Sequence, residues 1–397
     1  MSMGHESRGG MSLDARPGQA PNPTAVAAEL ADLVVDLQAR GLRVEVPLER
    51  RVGGAGPSDS GFLWVGGFRI TVPTDNAAAA DSPYVLRAED DGYAVFEGDR
   101  RLADASTQQR PRFYDLTTAD GVPYWKIGLM HLDSFASTVV QTCSYWGNDD
   151  QCGFCGIGVS LDSGRTIVKK SPEQLAEVAM AAKELDGAVD ATLTTGSSNG
   201  VDRGARYVAR CGHAVREATG LPVEVQFEPP MKLGVIDEVA DLGIDSVGIH
   251  VESFDPDVLA RVAPGKARTG IEQYFRTWEY AVARFGEGQV STYVILGMGE
   301  DPELTVEGCR RAIDIGVFPF VVPIRPVAGS LMEGVVPPSR EYTEGIYRKV
   351  AAYMSERGMA ADVAKAGCAR CQACSGLQSV QALLQLSPRP VPISHAL

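Results

Sequence analysis

Apolar positions in this chain follow different rhythms in different stretches. Residues 25–42 carry apolar side chains at helical spacing (Ala28, Leu30, Leu33, Val34, Leu37) and stop at Gly41, which predicts a helix. From about residue 43 to 124, short alternating runs take over, such as Gly61-Phe62-Leu63-Trp64-Val65 and Tyr93-Ala94-Val95-Phe96. Period-two patterning with Gly, Pro, Asn and Asp between the runs predicts a small sheet. From about residue 135 the rhythm becomes strand, helix, strand, helix. Strands are expected over 137–141, 191–195, 223–227, 246–251, 290–296 and 318–324, with helices over 172–185, 204–218, 232–242, 271–284 and 306–315 between them. Ser171-Pro172-Glu173-Gln174 is a helix start, with Ser as N-cap, Pro at the first position and Gln at the third. A last helix is expected over 342–357, then a cysteine-rich stretch and a tail of about twenty residues.

Six βα units at this spacing imply a parallel sheet with right-handed crossovers. The expected fold class is α/β: an open, partial (β/α)6 TIM-like barrel with an N-terminal α+β domain and a C-terminal cysteine-rich segment. The expected divisions are a disordered leader over 1–24, the N-terminal domain over 25–130, the barrel over 131–345, and the C-terminal helix and cysteine-rich segment over 346–397. In such a barrel, ligands belong at the carboxyl ends of the strands.

Composition narrows the partners. An apolar share of 44% supports a sizeable core, and the formal net charge of -14 repels phosphate backbones and anionic membranes. A small soluble substrate is expected, with no nucleic acid and no membrane. No apolar run approaches the roughly 18 residues needed to cross a bilayer. The first two dozen residues lack the apolar core of a secretory signal. Eight cysteines, six of them clustered, in a chain with no export signal point to metal rather than disulfides, and to a reducing cytoplasm.

The first cluster is Cys143, Cys152 and Cys155, at C-x8-C-x2-C just past the first barrel strand. Three thiolates from one loop can hold three irons of a cubane cluster and leave the fourth open to a chelating small molecule. The rival is zinc: Cys152, Cys155, Cys371 and Cys374 would form a structural four-cysteine site if the two ends met, making the chain a zinc-stapled binding protein. Cys368, Cys371 and Cys374 at C-x2-C-x2-C match the first three cysteines of bacterial ferredoxin runs without the fourth. An auxiliary cluster with a free iron or an outside ligand, a zinc site completed by a His or carboxylate, and inert thiols all remain open there.

A cysteine loop of this kind, at the top of the first strand of a βα series, resembles the radical S-adenosylmethionine (SAM) superfamily. The usual loop there is C-x3-C-x-aromatic-C; here Phe154 precedes Cys155 as in that pattern, but eight residues separate Cys143 from Cys152. Thr194-Thr195-Gly196-Ser197-Ser198 falls where members have a glycine-containing turn that meets the SAM amino group. The run ending Gly248-Ile249-His250-Val251-Glu252-Ser253 looks like the fourth strand of the biotin- and lipoyl-synthase-like branch, and places Glu252 toward the cofactor's amino acid or ribose. Residues 290–300, with Ile295 and Gly297, are similar to the fifth-strand segment that packs the adenine. The whole pattern looks closest to radical SAM proteins encoded in bacterial nitrilase gene clusters.

The resemblance implies a [4Fe-4S] cluster on Cys143, Cys152 and Cys155, SAM bound at its open iron, and reductive cleavage to a 5′-deoxyadenosyl radical that abstracts hydrogen from a small polar, amino-acid-like substrate. It also implies a one-electron donor such as flavodoxin or ferredoxin. Sulfur insertion of the biotin- or lipoyl-synthase type, with the C-terminal cluster as sulfur source, is the enzymatic alternative.

The remaining candidates carry two readings each. Arg325 ends the sixth strand, where it can clamp a carboxylate bidentately or make a surface ion pair. Gln226 and Glu228 end the third strand, one expected at the barrel mouth and the other toward the helices. His250 is a catalytic imidazole or a hydrogen-bonded core one. Tyr145 walls the cofactor or packs the loop. Lys266 and Arg268 sit in a loop where substrate contact is the lesser reading. Cys211 and Cys309 read as small core residues.

Overall fold

A computed structural model describes residues 23–48, 60–90 and 92–386. The leader expected over 1–24 lies outside them except at its end, where Pro23 already opens helix α1 (Pro23–Arg40). After α1 come β1 (Arg43–Val44), β2 (Ser60–Val65), β3 (Phe68–Pro73), the single turn α2 (Ala77–Ala80), β4 (Tyr84–Glu89), β5 (Gly92–Glu97) and β6 (Arg100–Thr107). They form one sheet in the order β1-β4-β5-β6-β2-β3, parallel only between β1 and β4. Leu33, Val34 and Leu37 of α1 bury in one cluster with Leu63, Val65, Ile70 and Val72 of the β2–β3 hairpin, at one edge of the sheet. The alternation read in the sequence is therefore the α1-facing side of this sheet.

The second sheet starts beyond α3 (Tyr124–Ile127) with the antiparallel hairpin of β7 (Leu129–His131) and β8 (Ser134–Thr138). From β8 onward, strands and helices alternate: α4 (Ile157–Asp162) and α5 (Pro172–Asp186), β9 (Asp190–Thr194), α6 (Ala205–Thr219), β10 (Val223–Gln226), α7 (Gly234–Asp241), β11 (Ser246–Gly248), then α8 (Pro256–Val262), α9 (Pro264–Ala267) and α10 (Ile271–Phe285), β12 (Val290–Leu296), α11 (Pro302–Asp314) and β13 (Val317–Pro323). Strand order runs β13-β12-β11-β10-β9-β8-β7 without closing, and every pair from β8 to β13 is parallel. This is the expected partial barrel, with one antiparallel strand added at its open edge. Strands such as β13 are buried on both faces, as a parallel sheet covered by helices requires.

Local physics moved several boundaries. The first barrel strand ends at Thr138 rather than 141, because Val140 bridges Lys169 and the Gln141 amide donates to Val168 O. β11 stops at Gly248, three residues early; beyond it the Val251 amide is taken by the Thr292 hydroxyl and Glu252 turns to φ 70. Helix α11 begins at Pro302, four residues before expected, because the Asp301 side chain caps the Glu303 and Leu304 amides.

After α12 (Arg340–Glu356) the chain returns to the barrel. The turn α13 (Cys368–Cys371) carries the second cysteine triplet. The tail opens with a helix that was not expected: α14 (Leu377–Leu386) packs on α12 and α1, with Leu377 and Val380 fully buried. Its last residues, 387–397, lie outside those described. Among the described residues no helix is long and apolar enough to cross a membrane.

Candidate functional site

The barrel encloses a cavity of about 420 Å³ whose walls carry both cysteine triplets. At the carboxyl ends of the strands, the 143–155 loop is sewn down from three sides. The Ser144 amide donates to Ser197 O, the Gly153 amide to Val262 O, and the Met332 amide to Gly153 O. Gly196 is required here: a Cβ would lie 2.0 Å from Thr142 O, so only glycine lets the turn after β9 touch the cysteine loop. Trp146 fills the space over Gly158, where a Cβ would meet its ring at 2.1 Å, so this indole packs the loop rather than the cavity. Tyr145 does face the cavity, and its hydroxyl donates to Glu228 Oε2 at 3.1 Å.

Cys143, Cys152 and Cys155 all line this end, and none is in a disulfide. Burial raises the thiol of Cys152 strongly and that of Cys155 to about 11, with the neighbouring cysteines adding to it. These two thiols cost free energy to ionise unless a cation takes them up. Beside them stands a buried ion pair that the sequence showed only as a weak lysine candidate: Lys266 Nζ lies 2.5 Å from Glu252 Oε1 and also donates to His250 O. Glu252 holds a left-handed φ of 70°, unusual for a non-glycine residue and a strain that marks it for function.

The middle of the cavity holds Gln226, His250 and Tyr293. His250 Nδ1 accepts the Tyr293 amide at 3.2 Å, so the ring proton sits on Nε2, which is buried without a partner among the described residues. Burial, helped by the Lys266 charge, lowers this imidazole to about 3, so it stays neutral. Gln141 Oε1 and Glu228 Oε1 are buried and unpartnered on the same walls. Gln226 and Glu228 both line the cavity rather than dividing between mouth and helices. Residues two apart in an extended segment share a face.

The second triplet lies at the opposite end. The Gly367 amide and the Arg370 guanidinium bind Asp190, the first residue of β9, and Arg370 also pairs with Asp133 just ahead of β8. Cys368, Cys371 and Cys374 therefore enter the barrel from the amino ends of its strands. Cys368 Sγ accepts from Tyr293 Oη at 3.2 Å and Gln226 Nε2 at 3.4 Å, and Cys374 Sγ accepts from Thr71 Oγ1 at 3.3 Å. His131, at the end of β7, lies between Cys371 and Cys374. Isolated in sequence, it gave no signal.

Of the residues read as candidates, Cys143, Tyr145, Cys152, Phe154, Cys155, Thr195, Gly196, Ser197, Gln226, His250, Glu252, Ile295, Arg325, Cys368, Cys371 and Cys374 all border this cavity. Gly297 does not. Its φ of 95° and the close approach of Pro338 explain the glycine, and its amide binds Glu300. Arg325 borders the cavity, but its two terminal nitrogens donate to Ser60 Oγ and Thr71 O, so it braces the N-terminal sheet instead of offering an open fork. Cys211 and Cys309 are fully buried helix residues.

Residues 147–313 match the family model described as the radical SAM superfamily. This segment belongs to the radical SAM superfamily. The match covers Cys152 and Cys155 and begins four residues after Cys143. A curated relative, the bacteriochlorophyllide c C-7(1)-hydroxylase of Chlorobaculum limnaeum, is 29% identical over 133 residues, which is 33% of each chain. The chain thus spans about a third of that relative's length. Among solved structures, methylornithine synthase is 16% identical with a TM-score of 0.43, covering 55% of this chain and 61% of its own. A radical SAM methyltransferase from Sphaerobacter thermophilus is 16% identical with a TM-score of 0.43, over 70% and 75% of the two chains.

The radical SAM family implies a [4Fe-4S] cluster and SAM, and the residues fit both. The three thiols face one cavity, and orphaned donors and acceptors line it in a volume typical of small-molecule sites. Among the described residues no three His, Cys, Asp or Glu side chains converge on a point that could hold a single metal ion, so the four-cysteine zinc staple is not formed. The ligands of a cubane stand further apart, because each sulfur binds a different iron.

Proposed function

We propose that this chain is a radical SAM enzyme acting on a small polar, amino-acid-like substrate in the reducing cytoplasm, with flavodoxin or ferredoxin as its one-electron donor. The observation that carries the reading is the placement of Cys143, Cys152, Cys155, the Glu252–Lys266 pair and the His250 Nε2, unpartnered among the described residues, around one cavity. When bound, the cluster supplies the electron that splits the SAM sulfonium and releases a 5′-deoxyadenosyl radical able to take hydrogen from carbon. The chain's own residues hold and orient. Cys143, Cys152 and Cys155 are the ligands of the cluster. Tyr145, Phe154, Thr195, Gly196, Ser197, Glu252 and Ile295 border the SAM half, and Lys266 joins them as a charge for its carboxylate. The His250 Nε2–H faces the substrate and donates to its oxygen atoms, beside Gln226, whose Nε2 is held by Glu224 Oε2 and Cys368 Sγ. The walls exclude water, so that the radical meets substrate alone.

Anaerobic reconstitution with SAM and dithionite, followed by mass spectrometry, tests the proposal. Formation of 5′-deoxyadenosine by the native chain and its loss in Cys152→Ala support it; undiminished formation in the variant overturns it. Sulfur insertion is kept as a second reading because the C-terminal cysteines share the cavity with the SAM half. Loss of sulfide from that site during turnover would favour it.

A further inference from the structure

We infer that Glu228 Oε1, on the wall beside the first cysteine loop, is the acceptor for a primary ammonium group held in the cavity. The inference deepens the enzymatic reading above. It rests on that reading for the two molecules that carry such a group, SAM at its methionyl end and the amino-acid-like substrate.

The carboxylate is fixed before any ligand arrives. Glu228 follows β10 and precedes Pro229-Pro230, and a residue ahead of proline is biased to extended backbone. Glu228 is 5% exposed and borders the cavity. Its Oε2 accepts the Tyr145 hydroxyl, and its Oε1 has no partner among the described residues. A buried carboxylate oxygen without a donor costs free energy that a ligand can recover. The basic side chains that feel its charge are engaged elsewhere: Lys266 with Glu252 and His250 O, Arg268 with Asp150. A ligand hydroxyl satisfies the hydrogen bond alone, whereas an ammonium also answers the charge. Gln141, 1% exposed, adds a neutral acceptor on the same cavity. Its Nε2 is held by Ile157 O, and its Oε1 likewise has no partner among the described residues.

The eight-residue spacing between Cys143 and Cys152 supplies the other half of the arrangement. Residues 144–151 form a turn bonded through its own side chains. Asn148 Nδ2 donates to Ser144 O, the Gly147 amide to Gln151 Oε1 and the Asp150 amide to Asn148 Oδ1, each at 2.9 Å. The turn lays Tyr145 on Gly265, where a Cβ would stand 2.9 Å from the ring. That contact aims the phenol at Glu228, and its donation to Oε2 leaves Oε1 as the oxygen still to be satisfied.

The test uses the full chain reconstituted anaerobically with iron and sulfide, native and Glu228→Gln, with the same iron content expected in both. Calorimetry compares SAM with its desamino analogue. Saturation-transfer NMR compares n-butylammonium with n-butanol, with and without SAM. Native protein is expected to favour the ammonium member of a pair by about tenfold or more, and Glu228→Gln to lose that preference. Loss in the SAM pair assigns the subsite to SAM's own ammonium; loss in the butyl pair alone assigns it to the amino group of the substrate. The inference is overturned if native protein shows neither preference, or if Glu228→Gln leaves intact whatever preference the native protein has. If the variant takes up no iron, a crystal structure of native protein with SAM and n-butylammonium decides: an ammonium nitrogen within hydrogen-bond reach of Oε1 supports the subsite, and water alone there overturns it. Failure of the SAM reading appears separately, as native protein that binds no SAM and makes no 5′-deoxyadenosine, with the butyl pair still testing Glu228.

Discussion

Two lysines buried in the barrel show how environment sets the work of one side chain. Lys266 has a carboxylate beside it, and both groups are nearly enclosed, with side-chain exposures of 13% and 9%. Removing the ammonium leaves a buried, unpaired charge, so Lys266→Ala is expected to cost roughly 3 kcal/mol in urea unfolding. It should also weaken SAM binding by calorimetry. Among the described residues Lys170 has no such partner; it is fully buried with its Nζ on Thr138 O, and burial pulls it from 10.5 down to about 7. Between those two values the unfolded chain binds the extra proton, so stability rises as pH rises from 7 toward 10.5 and this contribution is absent below 7. Unfolding midpoints at pH 7 and 9.5 should show that rise. Lys170→Met should flatten it by up to roughly 1.4 kcal/mol per pH unit.

At the scale of elements, the site depends on short junctions more than on the strands themselves. Gly196→Ala would drive a methyl into Thr142 O and push the turn after β9 off the cysteine loop. SAM affinity should fall at least tenfold while α5 and α6 keep their far-UV signal. Arg370→Ala strands Asp190, whose side chain is wholly buried, at a cost of roughly 3 kcal/mol or more. Limited proteolysis should then cut first between α12 and α14. These junctions also mark the limits of what could be read from the chain alone. β12 coincides residue for residue with its expected span, because six of its seven residues are apolar, aromatic or β-branched. β11 was overextended because its last residues look like strand but bond through side chains. Cys374 was visible by spacing. His131 was not, because nothing local in a Leu-Met-His strand announces sulfur neighbours 240 positions away. Arg325 misled for the same reason: its partners are Ser60 and Thr71.

Over the whole molecule, the N-terminal sheet and the C-terminal segment act as walls of the barrel rather than appendages. Thr71 donates through its amide to Ala373 O and through its hydroxyl to Ala373 O and Cys374 Sγ, and Gln38 donates to Ala373 O. A chain stopped after Ser375 loses α14 and uncovers the faces of α1 and α12 that Leu377 and Val380 bury. Its melting temperature should drop by roughly 5 °C or more, with iron retained at the first triplet. Cys374→Ala should behave differently from Cys152→Ala: SAM cleavage persists better than product formation, and equal loss of both would argue for a purely structural role.

The link between Thr71 and Ala373, some three hundred positions apart, has a consequence for biogenesis. On the ribosome, everything up to β13 emerges before the closing turn exists, leaving the bore open at its floor. If the second triplet takes up metal, that metal enters in the interval, or afterwards through the opposite rim past the first triplet. Starving cells of iron during synthesis, then repleting after it, should therefore load the two triplets unequally.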